Sequence, residues 1–496
     1  MSSIVRRIRR GWEPLIWVTV GGGGVLLLSR LPLLRAVLLV GGVGFMLLAL
    51  IWPPITFPAL ALAVPFGPGL PVGGFTVGTT DLLIGLIVAL WLLRGWAHRD
   101  WKWPSAPLVW PLLLYLGAIS LSLARAWSLS AALPEFLKWV EILALYVAVS
   151  AILPSQKRPR FLPSPFTVLL VSLLGAGALE ALLGIAQFLL RLGPPGFIVL
   201  GRFLRAYGTF AQPNPYAGYL GLIFPLALSL ALHTLSDLLS PRSARQPTNW
   251  GTLLSLWFYP VTAMLIGLGL LASWSRGGWL GMLAGSAVVF TLRSRRAAIL
   301  SGLIGLLLIA GIILGLMGLL PPVVAQRFQG IQDWTLFLRP VELRAIRVTG
   351  ANFALVERMA HWWAAYAMWK AHPLLGVGIG NYAVAYEAYR MPGWKEPLGH
   401  AHNILLNVLA ETGLVGLGAY LLLWTWIFVT GLRFLREHRG MRRAVQVGAL
   451  GGLTHLTVHN LFDNLYVHGI YAYVALLLVL LTVNPGMNGS IREGAS

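Results

Sequence analysis

Residues 399–416 read GHAHNILLNVLAETGLVG. Behind His400 and His402 runs an apolar segment with the character of a membrane span. Along it Asn403, Asn407 and Glu411 recur at i, i+4 and i+8, which puts them on one helical face. Polar groups on such a face turn away from lipid and into a bundle. Gly413, Gly416 and Gly418 allow neighbouring helices to come close. The stretch reads as a membrane helix inside a helix bundle, with two imidazoles at its lip.

The composition agrees with that reading. The chain has 496 residues, of which 57% are hydrophobic and 11% charged, and its mean hydropathy is +0.76. A soluble domain carries about 25% charged residues. Apolar runs of membrane-spanning length recur along the chain, so the expected fold class is all-α: a polytopic transmembrane bundle. Cysteine is absent, which excludes disulfides, thiolate catalysis and zinc–thiolate sites. The formal charge of +21 fits cationic loops against anionic lipid headgroups and gives no reason to invoke nucleic acid. The basic start, MSSIVRRIRRGW, precedes an apolar run without a small-residue cleavage site, so an uncleaved first helix is expected.

Lys and Arg collect in cytoplasmic loops. The basic loops are RRIRR (6–10), RGWAHRDWK (94–102), QKRPR (156–160), PRSAR (241–245), RSRR (293–296) and RFLREHRGMRR (433–443). With all of these cytoplasmic, spans pair as 107–125 with 137–153, 165–191 with 214–235, 252–273 with 277–292, 298–320 with 403–430, and 445–462 with 464–483. Region 14–93 holds two or four more, because 54–66 is short and broken by prolines. The expectation is about 12 spans (12–14), both termini in the cytoplasm, and three parts: 1–320, a large partly helical extracytoplasmic loop 321–402, and three C-terminal spans over 403–484. Arg202, Arg205, Arg276 and Arg358 then lie outside, where the charge rule gives them no reason to be.

Five stretches carry candidate chemistry. In LRAYGTFAQPNPYAGYL (204–220), Asn214 is a candidate helix N-cap and Pro215 suits the first turn. Arg205 is held near that N-terminus, a place that favours an anion; the competing reading is an Arg reaching headgroup phosphates. In SWSRGGWLG (273–281), Arg276 sits at a helix junction, where its planar fork suits a phosphate or anchors the interface beside Trp274 and Trp279. In ERMAHWWAAYAMWKAHPLLGVGIGNY (357–382), Arg358, His361 and Trp362 share a helix. The glycine-rich HPLLGVGIGN could cradle a phosphate through its backbone amides, or be a turn, but GVGIG follows no expected strand and is no dinucleotide fingerprint. His402 stands at the rim near cationic arginines, a candidate general base. Glu411 and its two asparagines are read as hydrogen-bonding between helices. His455, His459 and Asp463 fall at i, i+4 and i+8: a possible metal face without an obvious fourth ligand, or polar support for a site.

The ordered motifs resemble the O-antigen ligase and O-antigen polymerase superfamily. HAHNILLNVLAETGLVGL is similar to its His-Asn signature followed by Glu-x-Gly-x-x-Gly. RAYGTFAQPNPYAGYL, SRGGWLG (Arg276 to Leu280) and ERMAHWWAAYAMWKAHPLLGVGIGNY resemble its other elements, over about 200–420. The resemblance implies a metal-independent, inverting glycosyltransferase with no cofactor, in the bacterial plasma membrane, working on its extracytoplasmic face. Its donor would be a polyprenyl-diphosphate-linked glycan, and its acceptor a sugar hydroxyl on lipid A–core (ligase) or another lipid-linked glycan (polymerase). Arg276 and Arg358 would bind the diphosphate, with Arg205 and His400 in support, and His402 would deprotonate the acceptor. Asn403, Glu411 and Asn214 would support the site. A transporter of lipid-linked glycans is the alternative from another class. It would use the same arginines but have no need of His402.

Overall fold

The computed structural model describes residues 32–72, 75–99, 104, 106–154, 162–199, 201–239, 250–316, 339–349 and 352–483. The basic loops at 6–10, 156–160 and 241–245, residues 14–31 and the stretch 321–338 lie outside the described residues. The chain divides into two compact units, residues 1–56 and 57–496. The first contributes α1 (Leu33–Ile51).

The second unit is almost entirely helical. Its first helix is α2 (Thr56–Phe66), whose first residue falls at the end of the other unit, followed by a hairpin of β1 (Gly69–Val72) and β2 (Phe75–Gly78), and α3 (Thr79–His98). Then come α4 (Val109–Ser122), α5 (Leu129–Ile152), α6 (Pro165–Leu190), a minimal hairpin of β3 (Ile198–Val199) and β4 (Phe203–Leu204), α7 (Pro213–Leu238), α8 (Trp250–Ala272), α9 (Arg276–Arg293) and α10 (Arg295–Leu316). After the undescribed stretch follow α11 (Pro340–Ala345), α12 (Phe353–Ala371), α13 (Tyr382–Tyr389), α14 (Ile404–Glu437), α15 (Gly440–His459) and α16 (Ile470–Thr482). The two antiparallel hairpins, registered Gly69 to Gly78 and Ile198 to Leu204, are an addition to the expected all-α class.

Among the described residues, five helices are long and apolar enough to cross a membrane: Thr79–Ala97, Pro165–Leu190, Pro213–Leu238, Ser255–Ala272 and Ile404–Glu437. Val109–Arg125, Pro53–Phe66 and Ile470–Thr482 are shorter apolar helices. Local chemistry sets several starts. Ser164 and Ser275 accept amide hydrogens at the N-termini of α6 and α9, and Asn403 does so for α14, satisfying donors that a helix start leaves unpaired. The expected start of α7 is corrected. Gln212 is its N-cap and Pro213 takes the first position, so Asn214 lies within the first turn and its side chain is free for other partners.

Two further corrections shape the site. The expected spans 445–462 and 464–483 left almost no room between them. The chain instead leaves the helix after His459 and returns at Ile470, so Asp463 sits in a loop. And α14 is broken: Gly413 has φ +63° and ψ −161°, which only glycine adopts without strain.

The core lies where α15 packs against α7 and α9. Glycines let these backbones nearly touch: a Cβ on Gly452 would come within 2.3 Å of the Leu222 carbonyl oxygen, and one on Gly448 within 2.5 Å of Leu226 Cα. Small residues at such crossings are the usual route to tight packing in lipid.

Candidate functional site

The site forms where the starts of α7, α9 and α14 meet the α15–α16 loop. Two bonds fix that meeting: the Ile404 amide donates to the Asn460 carbonyl at 2.8 Å, and Asn403 Nδ2 donates to the Leu461 carbonyl at 3.0 Å. Asn403 Oδ1 caps α14 by accepting from the Leu406 amide. Asn407 Oδ1 accepts from the Ala401 amide at 3.0 Å and holds the strand of chain that carries the histidines.

Asp463 is thereby brought to His400 and His402. Its Oδ1 lies 3.6 Å from His400 Nε2 and 3.5 Å from His402 Nδ1. Its Oδ2 accepts from Asn214 Nδ2 at 2.8 Å. Asn214 Oδ1 in turn accepts from Arg205 Nη2 at 3.2 Å and from Ser275 Oγ at 3.0 Å, and Arg205 Nε donates to the Ser273 carbonyl at 3.0 Å. Hydrogen bonds thus link Asp463 to Arg205 and to the turn that presents Arg276, and the histidine pair meets that chain through its 3.5–3.6 Å contacts with Asp463.

The imidazoles are oriented by their contacts. The His402 amide donates to His400 Nδ1 at 3.1 Å, so neutral His400 carries its hydrogen on Nε2, facing Asp463. His402 turns Nδ1 to Asp463 at 3.5 Å without a hydrogen bond between them, and its Nε2 is buried with no hydrogen-bond partner. Its backbone is left-handed, at φ +52°. Histidine tolerates that region better than most residues, and such conformations cost energy and cluster at functional sites. The His361 ring stands edge-on to His402 at 5.7 Å and meets the Tyr382 hydroxyl at 3.0 Å.

The electrostatics show which charges converge. Burial, then the charges of Arg358 and Arg276, lower Arg205 to about 10, against the pull of Asp463. Burial also lowers Arg358, with Asp463 opposing and Arg276 assisting. Burial by itself would raise Asp463, but His402, His400 and His459 hold it well below the usual carboxylate range. Burial, then His402, takes His400 down to about 4 despite Asp463, and burial takes His361 to about 3. Glu357 is the other carboxylate that feels both His402 and Arg358. Three guanidiniums therefore face two carboxylates. Neither Arg276 nor Arg358 spends its guanidinium on a hydrogen bond or ion pair among the described residues, so the cluster keeps positive charge and donors in reserve.

The remaining expectations divide. The glycine-rich loop is not a phosphate cradle. Its amides are already used: Val377 N donates to the Ala410 carbonyl, Gly378 N to the Glu411 carbonyl at 2.9 Å, Ile379 N to Ser122 Oγ and Tyr382 N to Glu411 Oε1. Leu414 N and Val415 N donate back to the Pro373 and Leu374 carbonyls. The loop completes the backbone that the Gly413 break leaves unpaired, and Glu411 accepts from the Tyr382 amide that opens α13. The face of His455, His459 and Asp463 does not assemble. His455 is wedged against Gly221 and Gly281, while Asp463 pairs with His400 and His402. Those three do bring ligating atoms within 4.8 Å of one another. Arg202 is exposed, over the face of Phe203, apart from the cluster.

Sequence reasoning gave Asp463 no link to His402. The signal was present in FDNLYVH (462–468), a polar interruption between two apolar runs.

Residues 261–421, about a third of the chain, match the family model described as O-Antigen ligase. The match covers Arg276, Arg358, His400, His402 and Glu411, and leaves Arg205, Asn214 and Asp463 outside. No curated protein matches the chain. The match over 261–421 falls on the stretch whose motifs resemble the O-antigen ligase superfamily.

Proposed function

We propose that the protein is a membrane glycosyltransferase of cell-surface polysaccharide biosynthesis that moves a glycan from a polyprenyl diphosphate carrier to a sugar hydroxyl. The observation that carries this reading is the joining of two groups by Asp463: an imidazole whose buried Nε2 has no partner, and three guanidiniums in excess of the local carboxylates. In the reaction, the acceptor oxygen attacks the anomeric carbon from the face opposite the leaving group. Its proton passes to His402 Nε2, the bond from carbon to phosphate oxygen breaks, and the configuration inverts. Asp463 holds His402 Nδ1–H and stabilises the imidazolium. Arg276 and Arg358 take the charge that grows on the departing diphosphate, and Arg205, fixed by Asn214, adds to that field. Guanidiniums already placed where charge develops stabilise it with little reorganisation; Arg205 is held by hydrogen bonds, and Arg276 is exposed with its donors free. No metal is required: a dication at His400, His402 and Asp463 would sit against the three guanidiniums.

On this reading the chain is a bundle of about twelve spans in the bacterial inner membrane, one integral domain over 1–320, 321–402 and 403–484; five helices long and apolar enough to cross stand among the described residues. The basic segments 293–296 and 433–443 close α9 and α14, while Arg276 and His402 stand at the other ends of those helices. This supports cytoplasmic basic loops and a site on the extracytoplasmic face.

A ligase is the first reading and a polymerase the second. A transporter would hold diphosphate with the same arginines but would gain nothing from the His402–Asp463 pair. The test is transfer by the purified protein from a lipid-linked oligosaccharide. A single shift onto an added lipid–sugar acceptor supports the ligase, and a ladder on the same carrier the polymerase. Movement of donor across a vesicle bilayer without product in either assay would overturn the enzyme reading.

A further inference from the structure

The helices that carry the site at one end build a second feature at the other. Asn214 and Arg276 open α7 and α9, and Asp463 follows α15. At 1.5 Å per residue, Asn214–His233, Arg276–Arg293 and Gly440–His459 each run about 25–30 Å. That is close to the roughly 30 Å of a bilayer's hydrocarbon core, so the far ends of these helices lie near the opposite membrane boundary.

Between those far ends is an open pocket of about 420 Å³, lined by Ser229, His233, Arg293, Ser294, Gly440 and Arg443, with Val447 in its wall. Both guanidiniums are fixed by helix-end carbonyls. Arg293 Nη2 donates to the Leu232 carbonyl at 3.0 Å. Arg443 donates from Nη1 to the Leu435 carbonyl and from Nη2 to the Leu292 carbonyl at 3.1 Å. A guanidinium has five N–H donors, so each keeps most of them. Ser294 Oγ accepts from the Ala297 amide, leaving its O–H to donate. α15 begins here without a side-chain cap, and its amide end favours an anion.

Among the described residues no carboxylate lines the pocket. The nearest along the chain, Asp237, pairs with His233 Nε2 at 3.3 Å and is 66% exposed. Two guanidiniums held at one open cavity, Arg293 exposed and Arg443 half-buried, present their remaining donors to an anion that enters it. Ordinary cytoplasmic loop charge would not need to converge on a cavity, nor to be anchored there by three helix ends.

We propose that this pocket binds a phosphate-bearing anion, either the headgroup of an anionic phospholipid or a soluble diphosphate. Arg293 and Arg443 provide the charge-assisted bonds, with Ser294 and the α15 N-terminus as further donors. The site is separate from the glycan-transfer site and stands whether or not that reading holds.

The test uses the full-length protein and two probes. Native mass spectrometry reads retention of phosphatidylglycerol over phosphatidylcholine, and calorimetry reads inorganic pyrophosphate binding in an Arg276→Ala background that weakens the other anion site. Each is repeated with Arg293→Gln/Arg443→Gln and with Val447→Trp, which fills the pocket and keeps both arginines. Both changes are expected to weaken one probe by about tenfold or more. Loss for phosphatidylglycerol assigns the site to lipid, and loss for pyrophosphate to a soluble anion. Equal binding of both probes by the parent and the Val447→Trp protein, or no binding of either, overturns the proposal.

Discussion

At the scale of single residues, the account rests on His402 and what holds it. Removing a positioned general base costs about 10²–10⁴-fold, so His402→Ala is expected to lower the transfer rate by that order while donor affinity stays near the parent's. Asp463→Asn keeps size and packing but loses the charge behind Nδ1. It is expected to lower kcat by about 10²-fold or more with little change in donor KM; a change in KM alone would reduce Asp463 to a binding role. His400 makes a prediction about pH. Its folded-state value of about 4 lies below the ordinary 6.5, so the unfolded chain binds the proton more readily between those values. Stability should fall as pH drops from 6.5 towards 4, and His400→Asn should make that fall shallower in thermal denaturation of the detergent-solubilised protein. His400, His402, Arg276 and Arg358 were legible because their chemistry lies in short contiguous motifs. Asp463 was not, because its role depends on Ile404 bonding to Asn460, a contact between segments far apart in the chain.

At the scale of elements, the break in α14 is the feature that places the site. A membrane helix that gives up its own hydrogen bonds must find partners in protein, and loop 373–382 supplies them. A Cβ on Gly413 would meet the Leu374 carbonyl carbon at 2.2 Å, and φ there is +63°, whereas one on Gly418 meets nothing within 4 Å. Gly413→Ala is therefore expected to destabilise the protein by roughly 1–3 kcal/mol, read as a lower Tm and lower yield, and Gly418→Ala to be near neutral. Equal Tm values for the two would contradict the pairing of loop and break. The sequence showed a glycine-rich loop and a glycine-rich helix but not that each completes the other. Periodicity reports which face is buried, not which amides are already taken. The N-terminal part of α5 was missed for a similar reason: Pro134, Glu135 and Lys138 interrupt its apolar run, yet Ser128 caps the helix at the first turn.

At the scale of the whole molecule, hydropathy located most of the described helices, and charge gives them an expected direction. It missed their ends, because helices such as α15 owe their burial to close contact with α7 and α9 rather than to apolar composition. The absence of cysteine makes the orientation directly testable. Lys395→Cys and Glu437→Cys fall on exposed residues on either side of α14. A membrane-impermeant maleimide added from outside the inner membrane is expected to label the first and to reach the second only after lysis; the reverse pattern would invert the topology. Chelation with EDTA is expected to leave transfer unchanged, and loss of activity restored by a divalent cation would require a metal at His400, His402 and Asp463. The most direct test of the central claim is single-turnover transfer from a lipid-linked oligosaccharide by the purified parent and His402→Ala proteins, with donor binding measured on the same samples. The account predicts product from the parent and donor binding without product from His402→Ala. Full transfer by His402→Ala would contradict it.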